Sequence, residues 1–288
     1  MSPSPTSRLD AGLAALRQIP LLRRRVARAW SGARGRLHRH VVHVHASGVL
    51  SWRVDAGVTP ADATEQAAAF ESFAHWCTAH PDADASLQVS GQLVHSLAVD
   101  AGLQLHDPDA VRRYARQQFT HYHGPQAAGW PVAVWVAGSQ CVACGLHGID
   151  LQAMVDDAAR HGVRLLGMTP IWSAGLTMLA AAKPEFAGPG RHALLLVEGA
   201  AATWLVAEDG GVTSIRQRYA DEPHVDAVAQ LLESLIAESG PLAAPPAVLG
   251  WGIETPHALA AEIASTFGDL SGHGSLSDLM LLQPRRRP

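Results

Sequence analysis

Two segments of the chain repeat one pattern: an apolar strand, a turn of very small residues, and a second apolar strand that contains one Trp. Residues 40–55 read HVVHVHASGVLSWRVD, and residues 192–207 read HALLLVEGAAATWLVA. The turns fall at 46–48 and 199–202. A duplicated hairpin of this kind predicts a two-lobed fold. Small residues also leave the backbone N–H groups of a turn open to anionic groups.

Composition limits the class of protein. The 288 residues can form two modest domains, and a net charge of −4 argues against the positive surface of a nucleic-acid-binding protein. The three cysteines predict no disulfide framework. We find no apolar run of the roughly 18 residues that span a membrane and no secretory signal at the start. These observations predict a cytoplasmic protein. Lys183 is the one lysine, and this preference for Arg is typical of a GC-rich bacterial genome.

Two ends of the chain are basic. Residues 1–37 form a leader with helical apolar spacing, and residues 284–288 form an Arg-rich tail. Within the leader, Arg23, Arg24, Arg25 and Arg28 favour contact with anionic lipid or with an acidic partner protein. A solvated tail is the alternative interpretation.

Between the two ends, strands and helices alternate, and we divide the chain into lobe I at 38–190 and lobe II at 191–283. Apolar spacing predicts helices over 60–80, 107–122, 151–161, 170–182, 223–238 and 256–267. Strand patterns lie on both sides of Ser90-Gly91-Gln92 and of Gly138-Ser139, and again at 163–168, 212–219 and 247–252. The two Pro and two Gly of residues 183–190 predict the linker between the lobes.

This order of elements resembles the actin-like ATPase superfamily, which has a two-lobed ribonuclease H-like α/β fold with mixed sheets. Within it, the chain is similar to the assembly branch that includes PilM of type IV pili and the cytoplasmic part of GspL of type II secretion. The resemblance covers about residues 40–283 and depends on order and pattern. It implies phosphate loops at Ser47-Gly48 and at Glu198-Gly199, and an adenosine-side turn at Gly250-Trp-Gly252.

The chain departs from this family at its carboxylates. Active members place an Asp in each phosphate loop to organise the water shell of the metal, and phosphoryl transfer depends mainly on such positioning and charge neutralisation. The first loop here has His43 and His45 and no acid before Asp55. The second has Glu198 in place of Asp. We therefore predict no catalytic residues, no cofactor, and at most residual binding of ATP and Mg²⁺.

Other constellations predict no site of their own. Cys141-Val-Ala-Cys144 with His147 lacks a second ligand pair for zinc, and strand alternation turns its two cysteines to opposite faces. His43 and His45 share one strand face, with no carboxylate expected beside them, and we interpret them as surface or half-buried side chains without a metal. His121 and His123 suit a helix end. The hydrolase, Rossmann and Walker motifs are absent from the sequence.

The resulting hypothesis is a non-catalytic actin-like scaffold of a bacterial envelope assembly. It would act through contacts with other assembly proteins at the inner membrane, and it would bind no nucleic acid. The alternative is an active actin-like ATPase or small-molecule kinase that uses Glu198 with Mg-ATP. A partner-binding module unrelated to envelopes is a third interpretation.

Overall fold

The structure is a computed structural model, and it describes residues 39–54, 68–105, 107–137, 140–182, 189–198, 200–209, 211–219 and 225–251. The basic leader, the linker at 183–188, Gly199, Gly252, the helix predicted at 256–267 and the Arg-rich tail lie outside the described residues.

Strands and helices alternate along the described chain as the sequence predicts. The strands are β1 Arg39–His45, β2 Gly48–Val54, β3 Ala68–Phe70, β4 Asp84–Val89, β5 Val94–Val99, β6 Val132–Ala137, β7 Gln140–Leu146, β8 Arg164–Pro170, β9 Arg191–Glu198, β10 Ala201–Glu208, β11 Gly211–Tyr219 and β12 Ala247–Trp251. The helices are α1 Phe73–Ala79, α2 Pro108–His123, α3 Leu151–Arg160, α4 Ile171–Ala182 and α5 Val225–Ser239.

Lobe I is built on a mixed sheet with the order β3-β2-β1-β4-β8. Strand β1 pairs antiparallel with β2 and parallel with β4, so that His43 lies between Leu50 and Gln88. The interior of β1 is buried on both faces, as expected for a Val-rich central strand. The first hairpin predicted from the sequence is therefore confirmed, and its two strands lie inside the sheet.

A smaller sheet with the order β5-β7-β6 completes lobe I and packs against α2. Helix α2 begins at the predicted cap, where the side chain of Asp107 accepts the backbone N–H groups of Asp109 and Ala110. In β7, Cys141 packs towards α2 and Cys144 packs into the main core on the other face. Both are free, buried thiols, which confirms the interpretation from strand alternation.

Lobe II contains a sheet with the order β11-β10-β9-β12, in which β12 runs parallel to β9. Alternation along β9 assigns its two faces. Leu195 and Val197 pack in a core with Leu232 of α5, whereas Leu194 and Leu196 pack in the core of lobe I. Because β9 is buried on both faces, the second predicted hairpin lies between the two layers of hydrophobic core.

The lobes share one hydrophobic core through α4. Ile171, Trp172 and Leu179 of this helix belong to the same buried cluster as Leu194 and Leu196 of β9. The indole N–H of Trp172 also donates to the hydroxyl of Ser96 in β5 at 3.0 Å. No described helix is long and apolar enough to cross a membrane.

The helix predicted over 60–80 is wrong in its middle part. Residues Ala68–Phe70 form strand β3, which pairs antiparallel with residues 49–51 of β2, and the helix begins only after the N-cap Ser72. The Ala and Phe spacing that resembles a helix is overridden because the outer edge of β2 supplies backbone hydrogen bonds to this segment. Residues 55–67 lie outside the described part of the chain.

Candidate functional site

The candidate site lies at the end of β9, on the face of the lobe II sheet that meets lobe I. Glu198 is the last residue of β9 and follows Leu194 and Leu196 on the same face, so its side chain points towards lobe I. It pairs with Ala201 of β10, which in turn pairs with Tyr219 of β11. One row across the sheet therefore brings a carboxylate and a phenol to the lobe junction.

The partners of Glu198 come from lobe I. The backbone N–H of Gly91 donates to Oε2 at 2.8 Å, and the hydroxyl of Ser90 is also hydrogen-bonded to the carboxylate. His43 Nε2 of β1 lies 3.7 Å from Oε1. The side-chain amide of Gln92 donates to the backbone carbonyl of Glu198 at 3.0 Å. Glu198 is 2% exposed, so the protein itself surrounds its carboxylate.

Burial controls the protonation of this pair. Desolvation raises the pKa of Glu198 to about 7, although the hydrogen bonds from Gly91 and Ser90 act in the opposite direction. Burial, with a smaller effect of the neighbouring His45, lowers the pKa of His43 to about 3. Burial and the charge of Glu198 both raise the pKa of Tyr219. At neutral pH, His43 is therefore neutral, and Glu198 exchanges between its two forms.

Strand β11 holds the other side of the Gly91 segment. The side-chain amide of Gln217 donates to the carbonyls of Gly91 at 3.2 Å and Val94 at 2.8 Å, and it accepts the N–H of Ser96 at 2.9 Å. The hydroxyl of Tyr219 donates to the carbonyl of Gly91 at 3.2 Å. Sequence reasoning missed these residues. The available signal was the alternation of Gln217 and Tyr219 on one face of β11.

The first predicted phosphate loop lies at the tip of the β1–β2 hairpin. Ser47 is exposed, and its hydroxyl is 3.0 Å from Nδ1 of His45. Gly48 opens β2 where a Cβ would come within 2.7 Å of the carbonyl oxygen of Phe70. The close approach of β3 therefore explains this glycine without a ligand. His43, in the first strand of this hairpin, lies 3.7 Å from Glu198, so the structure brings β1 against the end of β9.

The remaining predicted nucleotide residues are only partly described. Gly250 lies inside β12, where it pairs with Val197, and Trp251 pairs with Glu198 at the end of the same ladder. Gly199 and Gly252 lie outside the described residues, as do the four leader arginines.

The expectation for His43 is wrong in two respects. His43 and His45 do share a face, with ring centroids 5.6 Å apart, but His43 is fully buried, and a carboxylate lies beside it. The sequence could not indicate this neighbour because Glu198 belongs to the other lobe. Within the described ranges, no group of three or more His, Cys, Asp or Glu side chains has a metal-binding arrangement.

A second histidine group lies near the same junction. The ring of His95 stacks on His123 and His147, with centroid distances of 3.9 and 4.3 Å, and Trp130 lies 5.2 Å from it. The predicted position of His123 at a helix end is confirmed. Sequence reasoning missed the stack because its rings come from β5, the end of α2 and the segment after β7.

The described residues do not fit a Mg-nucleotide group at Glu198. A carboxylate that organises the water shell of Mg²⁺ has to face solvent or a phosphate. That of Glu198 is buried and accepts a hydrogen bond from the backbone of lobe I. The imidazole of His43, 3.7 Å from the same carboxylate, is not a ligand of the kind that Mg²⁺ prefers.

Comparison with solved structures identifies the fold of the chain. No protein-family model and no curated protein sequence matches the chain. A Bacteroides thetaiotaomicron protein with an actin-like ATPase fold and unknown function superposes with a TM-score of 0.57 and 8% identity, over 85% of this chain and 96% of that one. The type IV pilus biogenesis complex PilM-PilN matches with a TM-score of 0.51 and 12% identity, over 82% and 88%.

The cytoplasmic domain of EpsL, an inner membrane component of the type II secretion system of Vibrio cholerae, has a TM-score of 0.49 and 12% identity, over 84% and 92%. At identities this low, the first two likenesses report on the fold alone. They agree with the paired hairpins and the mixed sheets of the two lobes. The chain therefore has the two-lobed actin-like ATPase fold.

Proposed function

We propose that this protein is a non-catalytic actin-like scaffold of a bacterial envelope assembly. The observation that carries the proposal is the hydrogen bond from the N–H of Gly91 to the carboxylate of Glu198. It commits the acid at the second phosphate-loop position to a contact between the lobes.

The argument against catalysis is one of charge. Phosphoryl transfer needs carboxylates that hold Mg²⁺ beside the phosphates, because the catalytic effect is mainly positioning and neutralisation. The β1–β2 turn offers Ser47 and no acid, and Glu198 is enclosed by Gly91, Ser90 and His43. With no acid at the first turn and the acid of the second enclosed, the chain keeps the framework of the fold and lacks free carboxylates that would hold Mg²⁺.

The assembly role draws support from the fold of PilM in the PilM-PilN complex. In our proposal, this chain likewise acts through protein–protein contacts, on the cytoplasmic side of the inner membrane. This part of the proposal is based on fold analogy. Because one fold can serve unrelated functions, it needs a test of its own. The leader arginines Arg23, Arg24, Arg25 and Arg28 would add contact with anionic lipid or with an acidic partner.

The catalytic question is tested with Mg-ATP at millimolar concentration. We expect no change in melting temperature and no phosphate release from the purified protein. A shift of several degrees that disappears in Glu198→Gln, but remains in the control Glu208→Gln, would contradict the proposal. It would favour the ATPase or kinase alternative. Glu208 is an exposed carboxylate on the neighbouring strand β10, so it controls for a general effect of lost charge.

The envelope role needs two further measurements. Affinity purification from the native host should enrich pilus or secretion components, and enrichment of unrelated cytoplasmic enzymes would contradict it. Full-length protein should sediment with anionic liposomes more strongly than a variant that lacks residues 1–37. Equal sedimentation would remove the membrane part of the proposal.

A further inference from the structure

The contact between Glu198 and lobe I is made by a short segment with a distinctive construction. We call Ser90, Gly91 and Gln92, which connect β4 to β5, the strap. Ser90 N–H bonds to the carbonyl of Val44 in β1 at 2.9 Å, and His147 N–H bonds to the carbonyl of Leu93 at 2.9 Å. Both ends of the strap are thus fixed to lobe I, and its middle reaches across to lobe II.

The strap fits lobe II without any side chain at its centre. A Cβ on Gly91 would lie 2.9 Å from Thr203 Oγ1, 3.0 Å from Glu198 Oε2 and 3.4 Å from Gln217 Nε2. The first two distances are shorter than an ordinary carbon contact, so any larger residue at this position would force Thr203 or Glu198 to shift. The backbone of Gly91 can therefore insert between β9, β10 and β11 and close the junction.

The strap is attached to lobe II by polar contacts. Glu198 accepts from Gly91 N–H, Gln92 donates to the carbonyl of Glu198, and Gln217 and Tyr219 both donate to the carbonyl of Gly91. None of the three strap residues has an apolar side chain. Lifting the strap breaks hydrogen bonds that water can replace, while the hydrophobic core under α4 stays packed. Such segments open locally at lower free energy than the global structure.

The residues beneath the strap are the buried polar pair of the junction. His43 is fully buried and Glu198 is 2% exposed. We propose that the strap opens locally and controls solvent access to Glu198 and His43, and that ionisation of Glu198 loosens it. The proposal goes beyond the scaffold role, because it depends only on the closed geometry of the junction.

The sign of the pH effect follows from burial of Glu198, which outweighs the hydrogen bonds that favour the ionised carboxylate. Ser90 and Gly91 donate to it from the strap, and His43, with His45 stacked behind it, approaches from β1. From lobe II, Thr203 of β10 and Gln217 and Tyr219 of β11 border the same space. The neutral carboxyl suits this enclosure, since burial raises the pKa of Glu198 to about 7. A rise in pH charges the carboxylate and favours the open strap, where water solvates it.

The test is amide hydrogen exchange of Gly91, read by NMR on protein labelled with 15N-glycine. Gly145 in β7, which pairs with β5 and β6, serves as the internal reference. After correction for intrinsic base catalysis, we expect Gly91 to exchange faster than Gly145 at every pH, because the strap opens at a lower free energy than the core, and exchange at Gly91 to rise roughly tenfold between pH 6 and pH 8. In Glu198→Gln the rise at Gly91 should disappear. An unchanged rise in Glu198→Gln would overturn the proposal.

A second variant tests the opening of the strap without changing Glu198. Gln217→Met keeps the side-chain length and deletes its hydrogen bonds to the carbonyls of Gly91 and Val94, so Gly91 should exchange roughly tenfold faster at both pH values. Equal opening free energies at Gly91 and Gly145 would mean that both exchange by global opening and would overturn the proposal. The exchange experiments are done without nucleotide. Detection of ATP turnover would therefore contradict the scaffold proposal without changing the expected exchange at Gly91. Failure of the exchange test would likewise leave the scaffold proposal standing.

Discussion

His43 Nε2 and Glu198 Oε1 lie 3.7 Å apart, although the two residues belong to different lobes and both are buried. The pKa values of the two groups are shifted in opposite directions. Burial favours the neutral form of each group, so it raises the pKa of the acid and lowers that of the base. Several properties of the protein follow from this arrangement.

The first prediction concerns stability against pH. The folded-state pKa of Glu198 is raised from 4.5 to about 7, so the folded protein keeps a proton that the unfolded chain releases. The stabilisation is complete below pH 4.5 and is lost as pH rises through 7, by up to about 3 kcal/mol. Urea unfolding of the native protein and of Glu198→Gln from pH 5 to 8 measures the difference.

The free energy of unfolding of Glu198→Gln should fall less with rising pH than that of the native protein. Glu208→Gln removes a half-exposed carboxylate and should follow the native curve. Parallel curves for all three proteins would show that Glu198 is not buried in solution.

The second prediction concerns the fit of Gly91. Gly91→Ala places a Cβ within 2.9 Å of Thr203 Oγ1 and 3.0 Å of Glu198 Oε2, and we expect a loss of about 1 to 3 kcal/mol in the free energy of unfolding. Gly129→Ala is the matched control, because a Cβ there meets nothing within 4 Å. It should change stability by less than about 0.5 kcal/mol. Equal losses in the two variants would contradict the enclosed position of Gly91.

Local patterns in the sequence predict much of the fold but little of the junction. The two hairpins and the Asp107 cap are recognisable because strand alternation and capping act over a few residues. Strand β3 is missed because its partner strand, and not its own spacing, determines its structure. Gly91 and Glu198 are 107 residues apart in the chain, and nothing local indicates that one binds the other.

Contacts between residues far apart in the chain also explain why the predicted and the observed roles of the site residues differ. The resemblance implies that Glu198 lies in the second phosphate loop, after a Leu-rich strand and before a small-residue turn. The structure confirms that Glu198 ends a strand, but its surroundings depend on Gly91 of the strap and on Gln217 and Tyr219 of β11. A buried acid is recognisable only when the elements that cover it are known.

The third prediction concerns the stacked histidines. Burial, then His147 and His123, lower the pKa of His95 to about 4, against the hydrogen bond with Gln217. For a base with a lowered pKa, stability is lost as pH falls from about 6.5 towards 4. His95→Phe keeps an aromatic ring in the stack and removes the titration. Its melting temperature should therefore fall less between pH 7.5 and pH 5 than that of the native protein.

The control for this stack is His121→Phe, which changes an exposed ring two residues before His123. Its melting temperature should show the native dependence on pH. His43 is present in all three proteins, so its own contribution cancels from the comparison. Identical acid sensitivity in the native protein and in His95→Phe would contradict the half-buried stack.

The last prediction concerns the three cysteines. All are free and buried, and burial raises the pKa of both Cys77 and Cys144 to about 12, with Asp157 adding to the effect at Cys77 and the Ser96 hydroxyl opposing it at Cys144. Because the thiolate is the reactive form, we expect no reaction with Ellman's reagent at pH 8 on the scale of minutes. All three thiols should react once the protein is unfolded in guanidinium. Rapid reaction of two thiols in the folded protein, or copurified zinc that protects them, would contradict the assignment of Cys141 and Cys144 to opposite faces of β7.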